Sequence, residues 1–294
     1  MFPKFLPKLT QNLTEATSIS LSKKIDRQPI QTPLISQPIA TTFVRQGRGS
    51  IPILLLHGFD SSLLEYRRLF PLLAAPNETI AVDLLGFGFT ERLPGLKISP
   101  KAISTHIYCF WKTIINRPII LVGASMGGAA AIDFTLKYPE TVAKLILIDP
   151  AGATGGPSLG KYLFPPLGYL ATSFLRNPKV RQKISENAYL DKSFASPDAQ
   201  ICAALHLETN YWDKALISFT KSGGYRPFGK KLAEIEQPSL ILWGDSDKIL
   251  GTGDAVKFEK GLSNSKLIWI KNSGHVPHLE KPEITAKQDR KSVV

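Results

Sequence analysis

Short, unbroken runs of apolar residues recur along the chain, separated by stretches in which apolar positions return every three or four residues. The runs are Ile53-Leu54-Leu55-Leu56, Thr79-Ile80-Ala81-Val82, Ile119-Ile120-Leu121-Val122, Lys144-Leu145-Ile146-Leu147-Ile148, Ser239-Leu240-Ile241-Leu242-Trp243 and Lys266-Leu267-Ile268-Trp269-Ile270. A run without polar alternation predicts a strand covered on both faces, as in a parallel sheet. Between them, Ser61 or Ser62 can cap a helix striped by Leu64, Leu69, Leu72 and Leu73. Further helices are predicted from Ser99 through His106, Phe110 and Trp111 to Asn116, and from Met126 to Tyr138 before Pro139. This alternation predicts an α/β fold whose sheet is mostly parallel and doubly wound. Thr41 to Arg45 alternates, so it reads as an edge strand of a fold that begins near Ile39.

The rhythm breaks at Ala151. Up to residue 231 the chain carries Gly155-Gly156-Pro157, Pro165-Pro166, Pro178, Pro197 and Gly223-Gly224, with helix-like stretches at Pro197–Leu207 and Trp212–Thr220. Aromatic residues gather there, among them Phe164, Tyr169, Phe174, Tyr211, Trp212 and Phe219. An insertion of this kind between core strands predicts a helical lid (151–231) over the carboxyl ends of the sheet, where ligands of open α/β sheets sit. Residues 38–150 and 232–294 then form the core. Residues 1–37 are punctuated by Pro3, Pro7, Pro29 and Pro33 in polar sequence and read as a flexible N-terminal extension. Within residues 1–10, Phe2, Phe5, Leu6 and Leu9 alternate with Lys4 and Lys8, a segment able to touch a membrane surface. No apolar stretch suits a secretory signal.

Charge changes little in this picture. Lys and Arg outnumber Asp and Glu by 36 to 24, a net charge of +12, but the cations are scattered and no nucleic-acid motif accompanies them. The two cysteines, Cys109 and Cys202, have no metal-ligand spacing, so buried free thiols in a reducing, cytoplasmic setting are expected, with no zinc site or disulfide framework. No window is long and apolar enough for a membrane span. Gly86-Phe87-Gly88 lacks the strand–turn–helix setting of a dinucleotide fingerprint. Neither a cofactor nor a metal is called for. The expected partner is a small-molecule substrate, and the oligomeric state is left open.

The chemistry gathers at strand ends. The run at 119–122 turns through Gly123-Ala124-Ser125-Met126-Gly127 into a helix of small residues, the pattern of a nucleophile elbow. A tight turn there lifts a serine hydroxyl clear of the sheet, and the helix start supplies the Met126 N–H. Other strand ends carry His57-Gly58-Phe59, Asp149-Pro150, Gly244-Asp245-Ser246-Asp247 and Gly274-His275 with His278 nearby. A serine nucleophile needs an imidazole base, and that base needs a carboxylate to fix its tautomer. Asp245, Asp247 and Asp149 are the candidate acids.

These motifs, in this order, resemble the α/β-hydrolase superfamily. Gly123 to Gly127 matches its elbow and His57-Gly58-Phe59 its oxyanion loop. Asp83-Leu84-Leu85-Gly86-Phe87-Gly88 is similar to its D-x-x-G-x-G loop, and the Gly244 and Gly274 segments to its acid and histidine motifs. The resemblance covers about residues 40 to 290 and is nearest to the lid-bearing esterases, haloperoxidase-like enzymes and carbon–carbon-bond hydrolases. The text at His57–Arg68 and Gly123–Phe134 is also similar to cyanobacterial and plastid members. The resemblance implies an α/β-hydrolase fold with an inserted lid and the triad Ser125, Asp247 and His275. The acid motif's spacing from Gly244 selects Asp247 over Asp245. Phe59 and Met126 would supply the oxyanion-hole amides. His57, which would also order its own loop, and Trp212 would contact substrate. The function expected is hydrolysis of a small or medium, largely apolar ester through an acyl-enzyme. The alternatives are carbon–carbon-bond cleavage, haloperoxidase-like chemistry, or a catalytically weak receptor or membrane-surface scaffold. The polar segment Lys281 to Val294 departs from the more apolar closing helix usual in the family.

Overall fold

The computed structural model describes residues 1–154 and 167–293, with side chains described through residue 288. Eight strands, β1 (Asp26–Thr32), β2 (Ile35–Gln46), β3 (Ile53–Leu56), β4 (Thr79–Val82), β5 (Ile119–Ala124), β6 (Val142–Ile148), β7 (Ser239–Gly244) and β8 (Ser265–Ile270), form one sheet. Their spatial order is β1-β2-β4-β3-β5-β6-β7-β8. The β1–β2 and β2–β4 pairs are antiparallel, and every pair from β4 to β8 is parallel. This is the mostly parallel, doubly wound α/β sheet that the apolar runs predict.

The core helices are α1 (Ala16–Ser22), α2 (Phe70–Ala74), α3 (Pro100–Phe110) and α4 (Met126–Lys137). The stretch between β6 and β7 carries α5 (Leu167–Arg176), α6 (Pro178–Ala188), α7 (Pro197–Ala204) and α8 (Trp212–Lys221). Beyond it come α9 (Gly253–Gly261), α10 (Pro277–Glu280) and α11 (Pro282–Val293). Phe164 and the proline- and glycine-rich run around it lie outside the described residues. The sheet is sandwiched between apolar layers: Leu54, Leu56, Leu121 and Leu147 face one, and Ile53, Leu55, Val122 and Ile148 the other. Period-two alternation of apolar side chains on both faces is why the buried stretches of these strands are unbroken apolar runs. No described helix is long and apolar enough to cross a membrane.

Expectations about the N-terminal third are corrected. Residues 1–37 are not a loose extension. They contribute a 3₁₀ turn at Lys8–Asn12, helix α1 and the edge strand β1. Leu6, Leu13, Leu21, Ile25 and Ile30 are buried. Asp198 of α7 takes the place of a local cap for α1: its Oδ1 accepts from the amides of Thr14 and Glu15 at 2.6 and 2.8 Å, and its Oδ2 from Ser18 Oγ at 2.5 Å. The stretch at 41–45 is consequently an inner strand. It lies between β1 and β4, not at the edge. The segment at 1–10 also packs on the body through several of its apolar side chains. Leu6 is buried, Leu9 packs on the core and Phe5 lies under the Arg27 guanidinium, 4.0 Å from the ring centroid.

Elsewhere boundaries shift for local reasons. The helix expected after Ser62 splits into a 3₁₀ turn at Leu63–Tyr66, capped by Ser62 Oγ accepting from the Leu64 amide, and the separate α2. The helix from Ser99 loosens into a π turn at Trp111–Ile115, which ends at Asn116 in the left-handed region (φ 50°).

Candidate active site

Strand β5 ends at Ala124, and Ser125 follows at φ 52° and ψ −119° before α4 begins. This rarely populated conformation stores strain. It is held by the Ser125 amide donating to Ile148 O at 3.0 Å, and by Ser125 O accepting from the amides of Gly128 and Ala151 at 3.0 and 2.9 Å. The turn is possible because the flanking glycines lack side chains. A Cβ on Gly123 would strike the Gly127 carbonyl, and one on Gly127 the Leu56 carbonyl.

The loops after β7 and β8 meet beside it. Gly244 abuts the Gly274 carbonyl with no room for a Cβ, which brings the Asp247 loop against the His275 loop. His275 Nε2 lies 3.0 Å from Ser125 Oγ, and His275 Nδ1 lies 2.9 Å from Asp247 Oδ2. Asp247 Oδ1 accepts from the amides of Ile249 and Leu250 at 2.7 and 3.1 Å. Burial alone would raise the Asp247 pKa, but the His275 hydrogen bond and these amides hold it below the usual carboxylate range. Asp247 is thus an anionic acceptor facing Nδ1, and Nε2 is left to face the serine.

Asp149, the rival acid at the end of β6, is fully buried at φ 40°, with Oδ1 accepting from the Gly244 amide at 3.0 Å. Oxygens of Asp149 and Asp247 and a ring nitrogen of His275 lie within 4.8 Å of one another. Burial first, and then the charge of Asp247, push Asp149 well above the carboxylate range. Its Oδ2 is buried without a hydrogen-bond partner among the described residues. Asp245 points elsewhere: it accepts from Ser246 Oγ at 3.1 Å and lies 3.7 Å from Lys271 Nζ.

With this geometry the likeness to known proteins takes on meaning. A model of the alpha/beta hydrolase family matches residues 53–288. The chain belongs to the alpha/beta hydrolase family. It is 34% identical over 295 residues to alpha/beta hydrolase domain-containing protein VTE7 of Arabidopsis thaliana, spanning 97% of this chain and 88% of that one. To a 2-hydroxy-6-oxononadienedioate/2-hydroxy-6-oxononatrienedioate hydrolase of Escherichia coli it is 30% identical, covering 78% of this chain and 82% of the other. Among solved structures, a thermophilic esterase from Thermogutta terrifontis superposes with a TM-score of 0.77 at 23% identity, covering 91% of this chain and 98% of the esterase. At that identity the superposition speaks for the fold alone.

In this hydrolase the hydroxyl of Ser125 opens onto a cavity of about 310 Å³ lined by Phe59, Leu175, Ile184, Tyr189, Ile249 and Val276, among others. Of the expected site residues, the structure brings together Ser125, Asp247, His275, Phe59 and Met126. Among the described residues, the amides of Phe59 and Met126 donate to no protein acceptor. The expected substrate contacts of His57 and Trp212 are corrected, since neither lines the cavity. His57 is wholly buried, its Nδ1–H donating to Gly58 O at 2.8 Å and its Nε2 accepting from the Leu84 amide at 3.1 Å. Burial lowers its pKa to about 4, so it is a neutral strut between two loops. Trp212 is buried too, and its indole N–H donates to Asp60 Oδ1 at 2.7 Å.

Two acidic residues whose partners the sequence does not reveal organise the loop after β3. Asp60, at φ 48°, is gripped by the inserted helices: besides Trp212, it accepts from His206 Nε2 at 3.0 Å and Arg181 Nη1 at 2.7 Å. Burial would raise its pKa, but the His206 hydrogen bond and the Arg181 charge hold it well below the carboxylate range. Glu65 accepts from the Gly58 amide at 3.0 Å and from His278 Nε2 at 3.1 Å. His278 therefore packs beside the cavity and is taken up by Glu65.

Burial opposes ionisation of Glu65, yet the His278 hydrogen bond prevails and its pKa falls to about 2. Glu15 behaves likewise: burial raises, and the Arg68 hydrogen bond more than reverses it, to about 2. Both folded-state values lie below the unfolded one, so between about pH 4.5 and pH 2 the unfolded chain binds more protons. The stability these groups contribute is complete above that window and lost on acidification through it. Thermal melts across the window should show Tm falling with pH, and Glu15→Gln should flatten the fall. An equal slope in the variant would mean that the Arg68 pairing contributes nothing.

Proposed function

We propose that this hydrolase cleaves a small or medium, largely apolar ester through an acyl-enzyme on Ser125. The observation that carries the reading is the continuous chain from Ser125 Oγ through His275 to Asp247 at the mouth of an apolar cavity. In this mechanism Nε2 of His275 removes the hydroxyl proton as Oγ adds to the substrate carbonyl, and returns it to the leaving alkoxide. Asp247 holds the tautomer and stabilises the imidazolium. The Phe59 and Met126 amides bind the oxyanion. A water activated by His275 then releases the acid and restores the serine. The helices inserted between β6 and β7 serve as a lid, and their side chains select the substrate. No cofactor takes part in these steps.

The name of the Escherichia coli relative points to a second reading, cleavage of a carbon–carbon bond beside a ketone by the same residues. A panel of p-nitrophenyl esters of graded chain length, set against a 2-hydroxy-6-oxo-dienoate, separates the two. Turnover of esters with little on the ketone supports the esterase, and the reverse preference overturns it. On the preferred substrate, Asp247→Asn should lower kcat by about 10⁴-fold, because the ring then adopts the wrong tautomer. Asp245→Asn should stay near the parent and Asp149→Asn should retain most activity. A larger loss in either than in Asp247→Asn would reassign the acid.

A further inference from the structure

Helix α5 is apolar on two faces. Its inner face is spent on packing: Gly168 and Thr172 are buried, Gly168 lies against Ile217 of α8, and Leu175 packs on the core. Its outer face carries Leu167, Leu170 and Phe174, one above another at helical spacing, and they are 55%, 62% and 64% exposed. An ordinary surface helix places charge there. Scattered exposed apolar side chains need no explanation, but a set on one helix face continuing to a cavity mouth marks an interface. On α6, which packs against α5, Ile184 is exposed and also lines the Ser125 cavity, as do the exposed Phe59 and Ile249.

Charge identifies the occupant. The α5–α6 hairpin presents Lys179 and Lys183 at its surface, beside Arg176, whose guanidinium donates to Leu207 O at 3.0 Å and lies over the Trp212 ring. Its one acid, Glu186, faces Lys183 at 3.8 Å and accepts from Gln182 at 3.0 Å. A second copy of the chain would set these cations against their own kind. A surface of apolar tails beneath anionic headgroups satisfies both the apolar face and the cations. We infer that the Leu167–Leu170–Phe174 face of α5, with Ile184, docks on an anionic bilayer and turns the mouth of the Ser125 cavity toward the lipid. Membrane contact is thus assigned to the insertion, where the exposed apolar side chains share a helix face, whereas Leu6 of the first ten residues is buried and Phe5 and Leu9 pack on the core.

The inference rests on the proposed hydrolase reading only for the route of the substrate, and docking is measured without turnover. The full-length protein should float with vesicles of phosphatidylcholine and phosphatidylglycerol in equal parts, and more weakly with phosphatidylcholine alone. Leu170→Asp with Phe174→Asp should cut the vesicle-bound fraction about tenfold or more, with Tm unchanged because both side chains are exposed. Lys4→Glu with Lys8→Glu and Ser125→Ala should each float like the parent. Hydrogen exchange on the unaltered protein gives an independent reading: vesicles should protect residues 167–188. Failure of the parent to float, undiminished floating of the double variant, or protection lying only elsewhere would overturn the inference. So would a dimer in solution that the double variant separates, which would make the face a contact between copies.

Discussion

Ser125→Ala should fold as the parent does and lose covalent chemistry completely. The substitution keeps the Cβ that the elbow already accommodates at φ 52° and deletes only the hydroxyl. The folded state forfeits a single hydrogen bond, to His275 Nε2, worth about 1 kcal/mol. For a chain of this size that displaces Tm by no more than about 4 °C. The chemical loss is of another order. Without Oγ no acyl-enzyme forms, and what survives is binding and oxyanion stabilisation, an acceleration of about 10³-fold over water. Intact-protein mass spectrometry after fluorophosphonate treatment reads the result directly. One adduct on the parent, mapping to Ser125, and none on the variant is expected. An adduct on Ser61, Ser62 or Ser246, or undiminished labelling of the variant, would falsify the assignment.

Removing residues 1–32 should abolish the cooperative folding transition. The deletion exposes the apolar surface that Leu6, Leu13, Leu21, Ile25 and Ile30 cover. Each such burial is worth about 1.5–3 kcal/mol, so together they rival the ~5–15 kcal/mol that holds a typical domain folded. It also strips β1 from β2, leaving an unpaired edge beside the core. Asp198 loses the amides of Thr14 and Glu15 and is left buried without them. Circular dichroism during heating should show a broad, early loss of signal, and size-exclusion chromatography should show aggregates. A truncated protein that melts at the parental temperature would mean the segment is an appendage after all.

The contrast between these two predictions reflects what each part of the chain could disclose. The elbow was legible because its constraints are local. A strand that ends on Gly123, a serine forced to positive φ and a helix that starts on small residues are all written within a few positions. The spacing from Gly244 to Asp247 and the pairing of Gly274 with His275 are short-range for the same reason. Strand β1 was not legible, and part of β2 was legible only as an edge. β1 is an edge strand with a mostly exposed face, so its pattern is polar, and an edge tolerates Pro29 where an inner strand would not. Pro38 sits in the part of β2 that pairs with β1 alone. Prolines that argue against an inner strand say nothing against these.

The sequence by itself determined the parallel core, the place of the insertion and the elbow serine. It also set a histidine and three candidate aspartates at strand ends, and among these acids the family likeness selected Asp247. The core, the insertion and the elbow follow from apolar periodicity and backbone sterics, which act over a handful of residues. Only the tertiary structure decided which groups share a proton or a charge. Trp212 and His57 were read as facing substrate, but the fold spends the first on Asp60, 152 positions away, and the second on a neighbouring loop. Asp149 could be set beside Asp247, with its pKa pushed up by burial and by that charge, only by a sheet that places β6 next to β7. A carboxylate's role depends on its burial and on the charges around it. Those are properties of the packed chain, which no spacing along the sequence encodes.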